Sequence, residues 1–482
     1  MLFNSFEFAI FLPIVFLLYW FAVNKNLRLQ NVFLLVASYI FYGWWDWRFL
    51  SLIMISTVVD YTVGLELKRN NSRKIRKALL IISLMVNLGL LGVFKYYNFF
   101  LDSLYDVIPG LKAIMGFNTL QIVLPVGISF YTFQTLSYTI DVYKRKIEPT
   151  TNFIAFATFV AFFPQLVAGP IERATHLLPQ FLSKRIFNYE NAVDGMRQIL
   201  WGLFKKIVIA DNCAETANLI FNNSGEYGGS TLLLGAVFFA FQIYGDFSGY
   251  SDIAIGTAKL FGINLMRNFA FPYFSRDVAE FWRRWHISLS TWFRDYLYIP
   301  LGGSRGNKFE QIRNIFIIFT VSGFWHGANW TFIIWGILNA IYFLPLLLSK
   351  KNRKNIETIA KDRSFPTIKE LFNMVLTFTL IVFAWIFFRA ENISHAIQYI
   401  SNIFSLSLFN IPDFQGRGKA FVTLLLLSFF IVVEWNGRKQ RYALQKLGIN
   451  WNKSLRYALY YFFVIMIFWF GGEEQEFIYF QF

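Results

Sequence analysis

The stretch from Ala279 to Trp330 reads AEFWRRWHISLSTWFRDYLYIPLGGSRGNKFEQIRNIFIIFTVSGFWHGANW. Its first half is basic and aromatic, whereas its second half, which starts at Asn314, is apolar enough to enter a bilayer and still carries His326. At about 1.5 Å of rise per residue, His326 would lie about 18 Å along a helix that begins at Asn314. That is near the middle of a hydrocarbon core about 30 Å thick, where an ionisable side chain indicates a functional site.

The composition of the whole chain points to a membrane protein. Of its 482 residues, 56% are hydrophobic and 20% are aromatic. A soluble domain does not need that much apolar surface, so the composition predicts an all-α polytopic membrane protein. We expect a single membrane-embedded domain over residues 1–482, with an aromatic C-terminal tail at 471–482.

The charge and the cysteine content exclude several classes of protein. The net charge is +16, but the Lys and Arg residues cluster between hydrophobic segments, as they do in cytoplasmic loops, and no base-reading motif accompanies them. We therefore expect no nucleic-acid partner. Cys213 is the single cysteine, and His176, His286, His326 and His395 show no zinc-ligand spacing, so we expect no disulfide and no metal site.

The alternation of basic and non-basic loops predicts the topology. Basic runs such as Lys68–Lys77, Lys350–Lys354 and Arg438–Arg456 would lie on the cytoplasmic side. With these assignments the chain crosses the membrane about twelve times (11–13), and both termini are extracytoplasmic.

Two parts of the chain fall outside the predicted crossings. The segment FFPQLVAGPIERATHLLPQF, residues 162–181, contains three prolines. It predicts a broken, re-entrant element that is buried in protein or lines a cavity. His176 within this segment, and His395 farther along the chain, are expected in loops.

His326 is the strongest candidate for chemistry. It lies in GFWHG between Gly323 and Gly327, whose spacing is also typical of close helix packing. One interpretation is a histidine that only bonds a neighbouring helix. The other is a general base, because an imidazole in an apolar environment stays neutral and can accept a proton. The glycines would then let a helix or a thin substrate approach it.

The basic half of the stretch carries a second histidine and several arginines. His286 is either an interfacial histidine or a second polar contact on the donor side. Arg283, Arg284, Arg294 and Arg305 would form a basic entrance suited to phosphates. Coenzyme A fits such an entrance, and so do anionic lipid headgroups.

Asp246 and Asp252 lie in YGDFSGYSD within an apolar helix. Six residues correspond to about 240° of helix rotation, so the two carboxylates do not share a face. Two interpretations stay open. The carboxylates pair with Lys or Tyr as structural contacts, or they orient an imidazole.

The C-terminal sequence FIYFQF (477–482) is too apolar to remain exposed to solvent. It either anchors the chain at the interface or folds back into an outer cavity and presents Tyr479. A phenol with a reference pKa of about 10 needs a base to act as a nucleophile, and His326 could be that base.

Taken together, these motifs resemble the bacterial membrane-bound O-acyltransferases (MBOAT), in the branch that contains the alginate O-acetylation membrane protein. The resemblance covers nearly the full length and depends on FLPIVFLLYW (11–20), PVGISFYTFQTLSY (125–138), QLVAGPIERATHLLPQF (165–181), YGDFSGYSD (244–252), FWRRWHISLSTWFRDYLYIPLGG (281–303) and GFWHGANW (323–330).

The resemblance implies roles for individual residues. It makes His326 and His286 catalytic, and it makes Tyr479 an acyl relay. Trp325 and Asn329 lie beside the histidine in the last motif and are supporting candidates, as are Asp246 and Asp252. Arg283 and Arg284 are the expected donor-binding residues.

The resemblance also implies a fold and a function. The fold would be a ring of membrane helices around a central channel. The chain would move an acyl group, acetyl in the first instance, from acetyl-CoA in the cytosol to an exported cell-surface polysaccharide. It would act in the bacterial cytoplasmic membrane, in contact with membrane lipid and with an extracytoplasmic SGNH-type acetyltransferase. Two alternatives stay open: a secondary transporter, although no inverted repeat is found, and a lipid or protein O-acyltransferase of the same fold.

Overall fold

The structure is a computed structural model. It describes residues 1–108, 110, 119–120, 122–471, 475 and 477–478. Every regular element in these ranges is helical and none is a strand. The all-helical class predicted from the composition is therefore confirmed. The chain divides into two compact units, Met1–Gly195 with Thr257–Met266 and Met196–Gly256 with Arg267–Phe482.

The first unit is built from helices that precede the central basic stretch. They are α1 (Phe6–Leu17), α2 (Leu27–Asp46), α3 (Leu50–Arg69), α4 (Arg73–Leu91), α5 (Tyr97–Val107), α6 (Ile128–Tyr143), α7 (Phe153–Ala161), α8 (Phe163–Leu166) and α9 (Ala174–Leu182). Helix α10 (Tyr189–Leu203) begins in this unit and ends in the second.

A buried carboxylate joins three helices of the first unit. Asp60 on α3 is fully buried and accepts hydrogen bonds from Ser83 and Asn87 on α4 and from Thr139 on α6. The Asn87 and Thr139 bonds are both 2.8 Å long. A buried polar group is stable only when its hydrogen bonds are made, so this network sets the positions of α3, α4 and α6 relative to one another.

The proline-rich segment is a broken helical element, as predicted, and its re-entrant position in the membrane stays a prediction. Helices α7, α8 and α9 are short, and most of their side chains are buried within the first unit. The breaks between them are therefore covered by protein, which is the condition for irregular backbone in a membrane protein.

The second unit contains the basic stretch and the C-terminal helices. They are α11 (Asp211–Asn222), α12 (Gly229–Leu260, which ends in the first unit), α13 (Val278–Arg284), α14 (Ile287–Phe293), α15 (Lys308–His326), α16 (Trp330–Leu348), α17 (Ile368–Arg389), α18 (Ile393–Ile403), α19 (Arg417–Gly437) and α20 (Lys453–Trp469).

Helices α15 and α16 form an antiparallel hairpin, and His326 is the last residue of α15. The prediction that one helix continues from Asn314 to Trp330 with His326 in its interior is wrong. Gly327 has an extended backbone, with φ −161° and ψ 155°, and the next helix starts at Trp330. An extended residue cannot continue the helical hydrogen-bond ladder, so the chain turns directly after the imidazole.

Glycines allow the two helices of the hairpin to approach closely. A Cβ atom at Gly323 would overlap the carbonyl oxygen of Phe332, and one at Gly336 would overlap the carbonyl oxygen of Phe319. A Cβ atom at Gly327 would overlap the ring of Phe332. Both glycines of GFWHG therefore face α16, and helix packing explains their spacing.

The two histidines predicted in loops lie in helices, so that prediction is wrong. His176 is on α9, and its Nδ1 lies 2.7 Å from a carboxylate oxygen of the buried Glu172. His395 is on α18, within a segment that was expected to be a connection, and its Nε2 lies 3.1 Å from the hydroxyl of Ser224. Asn392 caps the start of α18 by accepting from the backbone N–H of His395, a local signal that the sequence carried.

Within the described residues, six helical segments are long and apolar enough to cross a membrane. They are Leu27–Arg69, Arg73–Val107, Gly229–Leu260, Trp330–Leu348, Ile368–Arg389 and Arg417–Gly437. The chain is therefore a multi-pass membrane protein. The twelve predicted crossings include shorter and more polar helices, and that number stays a prediction.

The glycine contact of the hairpin should be sensitive to a single methyl group. We expect Gly336→Ala to lower the thermal midpoint of the detergent-solubilised protein, because the added Cβ pushes α16 away from α15 at a cost of roughly 1–3 kcal/mol. Gly89→Ala on α4 is the matched control, since a Cβ atom there meets nothing within 4 Å. Equal midpoints for the two variants, measured by scanning fluorimetry, would contradict the packing role.

Candidate active site

A cavity in the second unit contains both candidate catalytic histidines. Its volume is ≈ 240 Å³. It lies between helix α15, the segment from Trp282 to Tyr298, and the end of α16 with the residues that follow it. The lining side chains are Trp282, His286, Leu289, Ser290, Phe293, Arg294, Tyr298, Ser304, Ile315, Ile318, Phe319, Ser322, His326, Phe343, Leu347, Asn352 and Arg353.

One face of α15 forms a wall of this cavity. Its lining residues, from Ile315 through Phe319 and Ser322 to His326, follow helical spacing over about 16 Å. The side chains are apolar at first and become polar only at Ser322 and His326. Because α16 runs antiparallel to α15, Leu347 near the end of α16 and Arg353 in the loop after it lie at the end of the wall away from His326.

The imidazole of His326 is held among aromatic rings. Its ring centroid lies 5.0 Å from that of Trp325, 5.1 Å from that of Trp335 and 5.3 Å from that of Phe388. The residue is 4% exposed. It also stands at the C-terminal end of α15, where the helix dipole places partial negative charge.

His286 approaches the same point from the junction of α13 and α14. Its backbone is left-handed, with φ 42° and ψ 54°, and the N–H of Ile287 is held by the carbonyl of Asn268 at 2.8 Å. The ring packs edge-on to Phe247 at 4.6 Å and lies 6.4 Å from the ring of His326 between centroids. A left-handed conformation is costly for a non-glycine residue, and such residues cluster at functional sites.

Burial governs the protonation of His286. The residue lies outside the six candidate spans and is 1% exposed. Loss of hydration lowers the pKa of the His286 imidazole well below its usual value of 6.5. His286 is therefore a neutral imidazole in the folded protein at neutral pH.

The two other residues predicted from the GFWHGANW motif have different positions. Trp325 is buried, and its ring lies 5.9 Å from that of His286 as well as beside His326. Asn329 caps α16 by accepting from the backbone N–H of Thr331 at 3.0 Å, and it donates to the carbonyl of Glu391 at 2.9 Å. Trp325 thus contacts both imidazoles, whereas Asn329 shapes the turn after His326.

Asp246 and Asp252 are paired with consecutive lysines. Lys206 Nζ lies 2.9 Å from Asp246, and Lys205 Nζ lies 2.5 Å from Asp252. Lys205 also donates to the hydroxyl of Ser248 at 2.9 Å. Of the two interpretations of these carboxylates that the sequence left open, the structure supports pairing with lysine.

The arginines predicted to bind the donor are already engaged in structural contacts. Arg283 donates to the carbonyls of Asn352 and Asn355 at 2.7 and 2.8 Å. Arg284 pairs with the buried Glu280 at 2.8 Å and donates to the carbonyl of Ala270. Their hydrogen bonds hold the loop after α16 and the start of the basic stretch.

Two other arginines line the cavity instead. Arg294, which sequence reasoning included in the basic entrance, pairs with Asp295 at 2.8 Å and is exposed. Arg353 is also exposed and was not predicted as a site residue, because the run Lys350–Lys354 was interpreted only as a cytoplasmic loop. Arg294 and Arg353 therefore provide the cationic side chains of the cavity.

Part of the C-terminal tail is folded back into the second unit. Phe477 and Ile478 are buried, at 2% and 1% exposed. The ring of Phe477 lies 4.9 Å from that of Tyr250. Tyr479, the predicted relay residue, lies outside the described residues.

The described part of the chain contains no group of three or more His, Cys, Asp or Glu side chains that could hold a metal ion.

Comparison with known proteins identifies the family. The model of the membrane-bound O-acyltransferase (MBOAT) family matches residues 38–390. The chain belongs to this family. It is therefore a membrane O-acyltransferase, and among the alternatives considered from the sequence this assignment favours transfer over solute transport.

Three relatives of the MBOAT chain show the range of activities. A protein named probable alginate O-acetylase AlgI from Pseudomonas aeruginosa is 40% identical over 439 residues, covering 89% of this chain and 81% of its own length. A peptidoglycan O-acetyltransferase from Helicobacter pylori is 34% identical over 530 residues, covering 100% and 98%. A teichoic acid D-alanyltransferase from Streptococcus thermophilus is 31% identical over 292 residues, covering 57% and 69%.

The buried neutral state of His286 predicts a pH effect on stability. Below pH 6.5 the unfolded imidazole binds a proton that the folded one does not, so lowering the pH from about 7 to about 5 should destabilise the wild-type protein. We expect His286→Asn to show a smaller fall in thermal midpoint over this range. Asparagine tolerates the left-handed backbone and does not titrate there. An identical pH dependence in both proteins would contradict a neutral His286.

Proposed function

We propose that this MBOAT protein transfers an acyl group, acetyl in the first instance, from acetyl-CoA in the cytosol to an exported cell-surface polysaccharide. The observation that carries the proposal is that His286 and His326 line one cavity whose lining also includes two exposed arginines, Arg294 and Arg353. The names of the relatives support a carbohydrate acceptor, since they include an alginate O-acetylase and a peptidoglycan O-acetyltransferase.

The cavity suits a long thioester donor. Arg294 and Arg353 at the exposed end would bind the phosphates, because guanidinium groups form charge-assisted bonds with phosphate oxygens. The apolar wall formed by Ile315, Ile318 and Phe319 would cover the thin pantetheine arm. The thioester would then reach the two imidazoles at the other end.

His326 is the proposed general base. It takes the proton of an acceptor hydroxyl while that oxygen attacks the thioester carbonyl. The carbon–sulfur bond breaks, the new ester forms, and the imidazolium returns the proton to the departing thiolate. The partial negative charge at the end of α15 stabilises the imidazolium in this step. His286, 6.4 Å away between ring centroids, is a second neutral imidazole that can contact the same reacting group.

The acceptor hydroxyl is proposed to belong to Tyr479 or to a serine of an extracytoplasmic SGNH-type acetyltransferase, which passes the acyl group to the polymer. The proposal includes a location in the bacterial cytoplasmic membrane, with both termini on the extracytoplasmic side. The burial of Phe477 and Ile478 within the second unit supports a tail that approaches the site.

Replacing the base tests the mechanism directly. We expect His326→Ala to reduce ester-linked acetate on the surface glycan by about 10²–10⁴-fold, the usual contribution of a positioned base. His395→Gln is the matched control, because it removes a half-buried imidazole of the same unit that bonds Ser224. Acetate release by mild alkali, normalised to the amount of inserted protein, is the measurement. An active His326→Ala variant would refute the mechanism.

The arginine assignment can be tested through the donor. We expect the double variant Arg294→Gln, Arg353→Gln to raise KM for acetyl-CoA about tenfold or more with a small change in kcat, since charge-assisted ground-state binding is lost.

Two controls accompany this measurement. S-acetyl-pantetheine, which lacks the phosphates, should show no difference between the wild-type protein and the double variant. Arg417→Gln should leave KM for acetyl-CoA unchanged, because Arg417 is an exposed arginine that pairs with Asp413 and is not among the residues that line the cavity. A wild-type KM in the double variant would exclude these arginines from the donor site.

A further inference from the structure

We propose that the buried ion pair of Lys206 and Asp246 is a tail latch, which holds the C-terminal segment docked beside the candidate active site. This inference rests on the proposed relay through Tyr479, and it assigns Lys206 and Asp246 as positioning residues. The backbone N–H of Ile478 donates to Asp246 Oδ2 at 2.7 Å, and Lys206 Nζ donates to the carbonyl of Gln475 at 3.0 Å. Both members of the pair therefore bond the tail backbone.

The charges of the latch explain why it binds the tail. Lys206 Nζ lies 2.8 Å from Asp211 as well as 2.9 Å from Asp246, and all three side chains are less than 10% exposed. When ionised, they carry one positive and two negative charges. A buried carboxylate that shares its cation needs further donors, and the amide of Ile478 supplies one. Docking of the tail thus stabilises the carboxylate of Asp246, which is almost inaccessible to solvent.

The latch lies close to the catalytic histidines. The ring of Phe477 is 6.3 Å from that of Phe247, and Phe247 is in edge contact with His286 at 4.6 Å. Tyr479 follows Ile478 directly in the sequence. The described end of the tail is therefore separated from the His286 imidazole by one aromatic ring, that of Phe247.

The neighbouring ion pair provides a matched control. Asp252 is on the same helix as Asp246 and pairs with Lys205, which precedes Lys206. Asp252 also accepts from Gln198 at 2.7 Å, so these bonds lie within the helical body of the second unit. Neutralising Asp252 disturbs a neighbouring ion pair, whose lysine is buried and whose carboxylate is partly exposed, without changing a hydrogen bond to the tail.

Hydrogen exchange of the full-length protein in nanodiscs tests the latch without reference to activity. We expect Asp246→Asn to accelerate exchange of the C-terminal peptide about tenfold or more, which is the scale for losing a hydrogen bond to a charged group. Asp252→Asn should leave that peptide at the wild-type rate. Wild-type exchange in Asp246→Asn, or equal acceleration in both variants, would overturn the proposal.

A second measurement separates the latch from the relay. After incubation with acetyl-CoA, mass spectrometry of the same peptide should detect an acetyl group on Tyr479 in the wild type and at least fivefold less in Asp246→Asn. If the tail is released in Asp246→Asn but no adduct forms in any protein, the latch stands and the relay fails. If Asp246→Asn does not fold, Ile478→Pro removes the same amide donor from outside the helices. Unchanged exchange of the neighbouring tail amides in that variant would also overturn the latch.

Discussion

The contact between α15 and α16 at Gly323 and Gly336 is the constraint on which the site depends. Two helices can approach this closely only where both lack a Cβ atom. The contact fixes the hairpin, and the hairpin fixes where α15 ends. His326 occupies that end, where its ring packs against Trp335 on the partner helix and lines the cavity. A histidine in the interior of a longer helix would lie neither beside a turn nor at the terminus of the helix.

A second constraint is the cost of burying charge in an apolar chain. The structure meets it by pairing. Asp60 is held by three uncharged donors, whereas Asp246 and Asp252 are each held by a lysine. Because the two carboxylates on α12 point to different faces, consecutive lysines on one neighbouring segment can satisfy both. One of these pairs bonds only within the helical body, and the other also bonds the tail. Buried charge here therefore makes contacts both between helices and with the C-terminal segment.

The pattern of charge in the sequence does not identify the arginines that line the cavity. Four arginines near His286 look equivalent in the sequence, yet Arg283 and Arg284 bond carbonyls and the buried Glu280. Of the four, Arg294 lines the cavity, and Arg353 joins it from another part of the chain. Arg353 reaches it only because the hairpin returns the chain to the start of α15. A linear pattern of charges therefore does not say which guanidinium groups line the cavity.

The class of this protein follows from its sequence alone, and so does the list of candidate site residues. Apolar composition and basic loops are local properties, and they correctly predicted an all-helical, multi-pass membrane protein. The two histidine motifs named the residues that the structure brings to one cavity. Three further features depend on the tertiary structure. They are the end of α15 at His326, the lysine partners of Asp246 and Asp252, and the arginines of the cavity. These depend on contacts between residues far apart, such as Ile478 with Asp246 across 232 positions, and on the room left by glycines. Hydropathy and periodicity average over neighbours in the chain, so they contain no information about such contacts.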